Sequence, residues 1–167
     1  MMSERPETAD AEQLESFFLH PGYIYASRES LFLNTVLGSC VAVALWDSRH
    51  AFGGMCHFMY PYQRANARNA RYGDVALPYL VRLLQELGAN QQDLLAHVVG
   101  GGINRELGST IGDANARVAE ELLVRQGIEL ITLDVGGNVG KKISFNTSTG
   151  ELLVYTTTRI RDDDWYK

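Results

Sequence analysis

Cysteine is scarce in this 167-residue chain: only Cys40 and Cys56 are present. No CxxC spacing joins them, and four histidines add little, so a structural zinc site is not expected. A chain long enough to bury a substantial core has no need of a disulfide, so both thiols are expected to be free. Basic charge is also short, with 15 Lys and Arg against 20 Asp and Glu and a net charge of −5. That balance argues against a sequence-independent nucleic-acid binder, which needs a cationic face to displace counterions. No apolar run reaches the ~20 residues of a membrane span. The opening stretch MMSERPETADAEQ lacks the basic and apolar regions of a signal peptide, so a cytoplasmic location without membrane insertion is expected. Glycines Gly100 to Gly102 are not followed by GK[ST] and do not form GxGxxG, which speaks against nucleotide binding.

What is present is an alternation of strand-like and helix-like runs. Residues 22–27, 31–37, 40–46, 52–60, 94–99, 128–135, 142–146 and 152–157 read as strands, with Thr149-Gly150 as a hairpin turn. Residues 74–87 and 113–126 read as amphipathic helices stopped by Gly88 and Gly127. Pro78 is tolerated only near a first turn, so the first regular helix is expected to begin later than Asp74. Residues 62–73 read as an exposed loop. The pattern predicts a single mixed α/β domain over 21–158, with a flexible extension over 1–20 and a tail over 159–167.

The chemically informative stretch runs from Thr35 to Cys40 and from Gly53 to Pro61. A hairpin turning on Ser48-Arg49 would place Cys40 directly across from His57, on one face of the sheet. Cys56, one residue away, would point to the other face as a small buried apolar side chain. A free thiol with a pKa of ~8.5 is only a few per cent thiolate at neutral pH. An adjacent imidazole can take its proton, leaving a thiolate–imidazolium pair able to attack an amide carbonyl and then protonate the departing amine. Glycines before Cys40 and His57 would admit the substrate closely. Gly38 and Ser39 are candidate oxyanion or substrate contacts through their backbone. His50 reads as a turn residue and His97 as a satisfied core residue. Arg64, Arg68 and Arg71 read as a solvated loop face, with contact to an acidic partner as the alternative.

Leu37-Gly-Ser-Cys-Val-Ala-Val43 followed by Gly53-Gly-Met-Cys-His-Phe-Met-Tyr-Pro61 resembles the CheD family of chemoreceptor glutamine deamidases. Tyr72-Gly-Asp-Val-Ala76, Gly100 to Gly102, Ile111-Gly-Asp-Ala-Asn115, Asp134-Val-Gly-Gly-Asn138 and Thr149-Gly-Glu-Leu-Leu-Val154 continue the series in order. The resemblance implies a three-layer α/β/α-like sandwich with a mixed sheet, similar to the catalytic domain of cytotoxic necrotizing toxins. It implies hydrolysis of receptor glutamine carboxamides to glutamate with loss of ammonia, without metal or organic cofactor. It also implies that Cys40 is the nucleophile and His57 the base. The family's third residue is a threonine upstream of the cysteine. Thr35 is the nearest match, while Asn34 occupies the position some members use. Implied partners are the cytoplasmic domain of a methyl-accepting chemoreceptor as substrate and a CheC-type phosphatase. A non-catalytic adaptor binding either of them is the alternative function. Lys141-Lys142 stands where an arginine is common, and Gly102 where an alanine often ends the glycine run.

Overall fold

Period-two alternation and two 3.6-period stripes give nine strands and two helices among the described residues of the computed structural model, which are 13–103 and 110–157. In chain order they are β1 (Glu15–Phe18), β2 (Ile24–Ser27), β3 (Leu31–Leu37), β4 (Val41–Asp47), β5 (Phe52–Phe58), α1 (Gly73–Glu86), β6 (Leu94–Gly100), α2 (Ile111–Gln126), β7 (Glu129–Val135), β8 (Gly140–Asn146) and β9 (Leu152–Thr157). They form a four-stranded sheet in the order β1-β3-β8-β9 and a five-stranded sheet in the order β2-β5-β4-β6-β7. Both sheets are mixed, since β1–β3 and β6–β7 are parallel and the other pairs antiparallel. No helix among the described residues is long and apolar enough to cross a membrane.

The five-stranded sheet is buried on both faces, and its central strands are accordingly apolar apart from Asp47, His57 and His97. One set of side chains, including Val41, Val43, Leu45, Cys56, Phe58, Ala96 and Val98, packs against α1 and α2. The alternate set, Ala42, Ala44, Met55 and Val99, meets Leu31, Leu33, Leu37, Ile143 and Phe145 of the four-stranded sheet. The layer order is therefore helices, sheet, sheet, which corrects the expected α/β/α arrangement. The reason is legible in β8 and the first half of β3, which alternate buried with partly exposed residues: this sheet has one buried face, and no helix among the described residues covers its outer one.

Two further expectations change, and another falls outside the described residues. The segment 15–20, expected within a flexible extension, contains β1, which pairs with β3 and leads into buried Leu19. Residues 1–12 of the expected extension, the expected last residue of the domain at 158 and the expected tail over 159–167 lie outside the described residues. Helix α1 runs through Pro78 rather than starting near it. The lost backbone bond, about 3 kcal/mol in a helix interior, is offset by Ala76, Leu77, Leu80, Val81 and Leu84, all buried on one stripe, each large one worth roughly 1.5–3 kcal/mol.

The fold itself requires the glycines before His57. A Cβ on Gly53 would come within 2.4 Å of the Leu45 carbonyl oxygen, and one on Gly54 within 2.4 Å of that of Tyr25. Helix α2 likewise starts against the glycine run: a Cβ on Gly112 would lie 2.3 Å from the Gly102 carbonyl oxygen and 2.6 Å from that of Gly101. Both contacts are with backbone, which cannot rotate aside. Gly112→Ala should therefore destabilise the protein by about 1–3 kcal/mol, measured as a lower urea midpoint with unchanged slope.

Candidate active site

Between β3 and β4 the chain crosses from one sheet to the other through Gly38-Ser39-Cys40. Every carbonyl of this crossover is held. The Gly101 N–H donates to the Cys40 carbonyl at 2.9 Å and the Gly102 N–H to that of Gly38 at 2.8 Å. The Asn115 side-chain Nδ2 donates to the Ser39 carbonyl at 3.0 Å. Gly100 and Gly101 adopt positive φ values of 117° and 62°, and a Cβ on Gly100 would sit 2.2 Å from the Cys40 carbonyl oxygen. The glycine run that lacks a phosphate-loop pattern is thus a backbone cradle for the crossover. The next layer is Asp134 to Lys141, where the Gly136 N–H donates to the Gly100 carbonyl and the Ile103 N–H to that of Gly137. Lys141 is buried and donates from Nζ to the Asp134 carbonyl at 2.8 Å and to its carboxylate at 2.7 Å, closing that loop.

His57 lies on β5 opposite Ala42 rather than opposite Cys40. The turn spans Ser48 to Ala51, with Ala51 at φ 57° donating its N–H to the Asp47 carbonyl, so its centre falls one residue later than expected. A later centre moves every cross-strand pair by two positions, which preserves the face. Cys40 is therefore the diagonal neighbour of His57, on the same side of the sheet. Cys56 faces the helices and is fully buried, as the alternation predicts.

His57 is 0% exposed and sits where the two sheets meet. Its Nδ1 is 2.9 Å from the Thr35 hydroxyl and 3.3 Å from the Leu19 carbonyl oxygen. The Thr35 hydroxyl itself donates to the Leu19 carbonyl at 2.7 Å. A hydroxyl has one proton, and here it is given to Leu19, so toward His57 this oxygen can only accept. The proton between Thr35 and His57 must then belong to Nδ1, which leaves Nε2 as the unprotonated nitrogen. Nε2 has no partner among the described residues. Asn34, on the opposite face of β3, bonds Ser16 instead, so Thr35 is the residue brought to His57.

Burial keeps both chemical groups neutral. It pushes the Cys40 thiol up to about 11, moderated by the thiol's contact with its own backbone N–H. It lowers His57 to about 4, with the Leu19 carbonyl acting in the other direction and nearby His20 adding slightly to the fall. In place of the expected thiolate–imidazolium pair there is a neutral thiol and a neutral imidazole that share a face of the sheet without a hydrogen bond between them. Burial likewise lifts Cys56, to about 12.

Other titratable residues fall where expected. His50 bonds the Asp47 carboxylate in the turn at 2.9 Å. His97 is satisfied by Thr132 at 2.9 Å and the Gly150 carbonyl at 2.8 Å. No group of three or more His, Cys, Asp or Glu among the described residues is arranged to hold a metal. Just past β5, two surface cavities of about 750 and 630 Å³ flank the 61–72 connection. Arg68 and Arg82 line one with Tyr23 and Tyr79, while Arg64 and Arg71 line the other with Tyr60, Tyr62 and Tyr72.

Sequence reading missed the Leu19 carbonyl, because a backbone acceptor leaves no trace in residue type. It also passed over Asn115, whose signal was present: a carboxamide on the buried stripe of an amphipathic helix otherwise lined by Ala116, Val118, Ala119 and Leu123.

Comparison with known proteins matches residues 59–156 to the family model described as CheD chemotactic sensory transduction. The chain belongs to the CheD family. A probable chemoreceptor glutamine deamidase CheD of Trichlorobacter lovleyi is 38% identical over 149 residues, covering 87% of this chain and 92% of that protein. Proteins with the same description from Rhodospirillum rubrum (42% identical, 83% of this chain and 81% of its own) and Sulfurimonas denitrificans (29%, 85% and 94%) are similar along comparable lengths. The family model begins two residues after His57, whereas the coverage of these relatives is wide enough to include Thr35, Cys40 and His57.

The depressed pKa of His57 has a sign that can be checked. Unfolded, the imidazole takes a proton near its ordinary value of 6.5; folded, it resists until about 4. Its contribution to stability is full above pH 6.5 and is lost progressively as pH falls toward 4, by up to about 3 kcal/mol. His57→Gln should lose correspondingly less stability between pH 7 and pH 4.5 than the wild-type chain, measured by urea unfolding at both pH values.

Proposed function

We propose that this chain is a cysteine-dependent protein-glutamine deamidase that converts glutamine side chains of a chemoreceptor's cytoplasmic region to glutamate, with release of ammonia. The observation that carries this reading is the orientation of His57: Nδ1 is occupied by Thr35 and Leu19, and Nε2 is left as an unpartnered acceptor on the face that carries Cys40. The names of the relatives supply the substrate class.

In the proposed reaction the Cys40 Sγ attacks the carboxamide carbon while His57 Nε2 takes the thiol proton. The resting pair is neutral, so this is general-base catalysis at the moment of attack rather than use of a stored thiolate. The carbonyl π electrons move to oxygen, and the resulting oxyanion lies near the crossover. Its carbonyls are all bound, which turns the Ser39 and Cys40 N–H groups into the natural donors. Collapse breaks the C–N bond as Nε2–H protonates the leaving nitrogen, giving ammonia and a thioester. Water then attacks the thioester, passing a proton to Nε2; the C–S bond breaks, the thiol is restored, and the product is a glutamate carboxylate. Both half-reactions are redox-neutral and call for no cofactor. Thr35 positions His57 by accepting from Nδ1–H.

Substrate docking is assigned to the connection beyond β5. Residues 60–82 hold four arginines and one aspartate on a chain that is otherwise acidic, and four of the eight tyrosines. Arg64, Arg68 and Arg71 are exposed and have no carboxylate within 4 Å among the described residues, which suits an acidic protein partner. A CheC-type phosphatase would compete for the same surface.

Ammonia release from a purified receptor cytoplasmic fragment, with mass spectrometry of its glutamines, tests the reading. Cys40→Ala should abolish release and Cys56→Ala should leave it nearly unchanged. His57→Ala should lower turnover by roughly 10²–10⁴-fold, with Thr35→Val showing a smaller loss. Equal turnover by Cys40→Ala and wild type would overturn Cys40 as the nucleophile, and absence of ammonia release from wild type would leave the adaptor role.

A further inference from the structure

Asn115 stands out on α2. Its side chain is 0% exposed on a stripe where apolar residues would pack without cost, yet it spends both protons of its Nδ2 on backbone carbonyls far apart in sequence. One is Ser39, immediately before Cys40, at 3.0 Å; the other is Met59, two residues past His57, at 2.9 Å. Two carbonyl acceptors demand the amino end of the carboxamide, so the orientation of the group is fixed by chemistry. The consequence is an Oδ1 with no donor among the described residues, an uncompensated burial that a merely space-filling residue would avoid.

We propose that Asn115 is a positioning residue that clamps the nucleophile crossover to the end of β5 and so sets the separation of the Cys40 thiol from the His57 imidazole. The inference rests on the roles given to Cys40 and His57 above. The paired registers of β4 and β5 stop at Val41 and Phe58, so in-register hydrogen bonding ends one residue short of Cys40. Extended by one step, the ladder would pair Cys40 with Met59. Asn115 takes over at that point, bridging the two strands where their own hydrogen bonds cease. Gly101 and Gly102 fix the crossover against β6 and α2, but neither ties it to the strand that carries His57. Only the carboxamide does so among the described contacts of Ser39 and Met59. Displacement of a reacting group by about 1 Å can cost about a hundredfold in rate, so a clamp at this point acts on turnover.

The test is made on the full chain. Asn115→Ala and Asn115→Ser are expected to lower kcat for ammonia release by at least ~10-fold while leaving KM within about threefold. The alkylation of Cys40 by iodoacetamide should change in the opposite sense. A released crossover is better solvated, so the pH at which the thiol becomes reactive should move down and the rate at pH 8 should rise. Loss of turnover with gain of thiol reactivity is not the signature of a general loss of stability. In the wild-type protein the Asn115 side-chain NH2 protons should exchange with solvent much more slowly than those of exposed asparagines, as read by NMR. Unchanged kcat and an unchanged alkylation profile in a folded variant would overturn the proposal, as would exchange at the solvent rate in wild type. Should both variants fail to fold, the wild-type exchange measurement decides. Absence of ammonia release from wild type with protected Asn115 protons is a separate result, overturning the deamidase reading on which the proposal rests and the proposal with it.

Discussion

A single hydroxyl proton organises the centre of this molecule. Because Thr35 gives it to the Leu19 carbonyl, its oxygen must receive from His57, and the imidazole is left with its other nitrogen open. The relay needs three backbone segments that belong to different parts of the fold: the end of β1, the middle of β3 and the end of β5. Thr35 and Leu19 come from the four-stranded sheet and its approach, and His57 from the five-stranded one. The site thus exists only when the two sheets are packed together, which explains why polar residues are placed in a layer otherwise filled by Leu33, Ala42, Met55 and Phe145.

That placement has an electrostatic consequence. Burial in and beside the inter-sheet layer disfavours charge on both partners, raising the thiol to about 11 and lowering the imidazole to about 4. A preformed ion pair would have to overcome both desolvation costs at rest. A neutral pair has no such cost, and in the proposed reaction charge need develop only as the bond to an incoming carbonyl forms, when an oxyanion and its donors share the burden. The same burial protects the thiol from adventitious oxidation, since thiolate is the form that reacts.

Much of this was legible in residue order. The strands 31–37 and 152–157 appear at the expected residues, and both helices within two residues of their expected limits, because period-two and period-3.6 patterns report burial directly. The shared face of Cys40 and His57 was also legible, since parity survives a shift of turn centre, whereas their direct opposition was not: Ala51 at positive φ is a local choice with no signature in composition. The layer order escaped because strands buried on both faces say that something covers each face without saying whether it is a helix or a sheet. β1 escaped because its pattern is nearly all exposed, so it carries no alternation to read. Thr35 over Asn34 could not be separated by sequence, yet one residue of offset in a strand means opposite faces, and the fold chooses at once.

The location of the proposed nucleophile follows from the same accounting of backbone groups. A residue inside a central strand has its N–H and C=O engaged by neighbours, and a residue in an exposed loop has both free but poorly fixed. The crossover between two packed sheets is the intermediate case. Here Gly101, Gly102 and Asn115 satisfy the carbonyls of Cys40, Gly38 and Ser39, which holds the backbone as firmly as a ladder would. Of the N–H groups on the other side of these peptides, that of Ser39 makes no backbone bond among the described residues and that of Cys40 meets its own thiol. A rigidly held turn with an amide turned away from the ladder suits the oxyanion of the proposed reaction, and neither strand nor ordinary loop supplies both. The glycines of 100–102 are the sequence cost of this arrangement, since positive φ and backbone contact as close as that at Gly100 exclude side chains from the cradle.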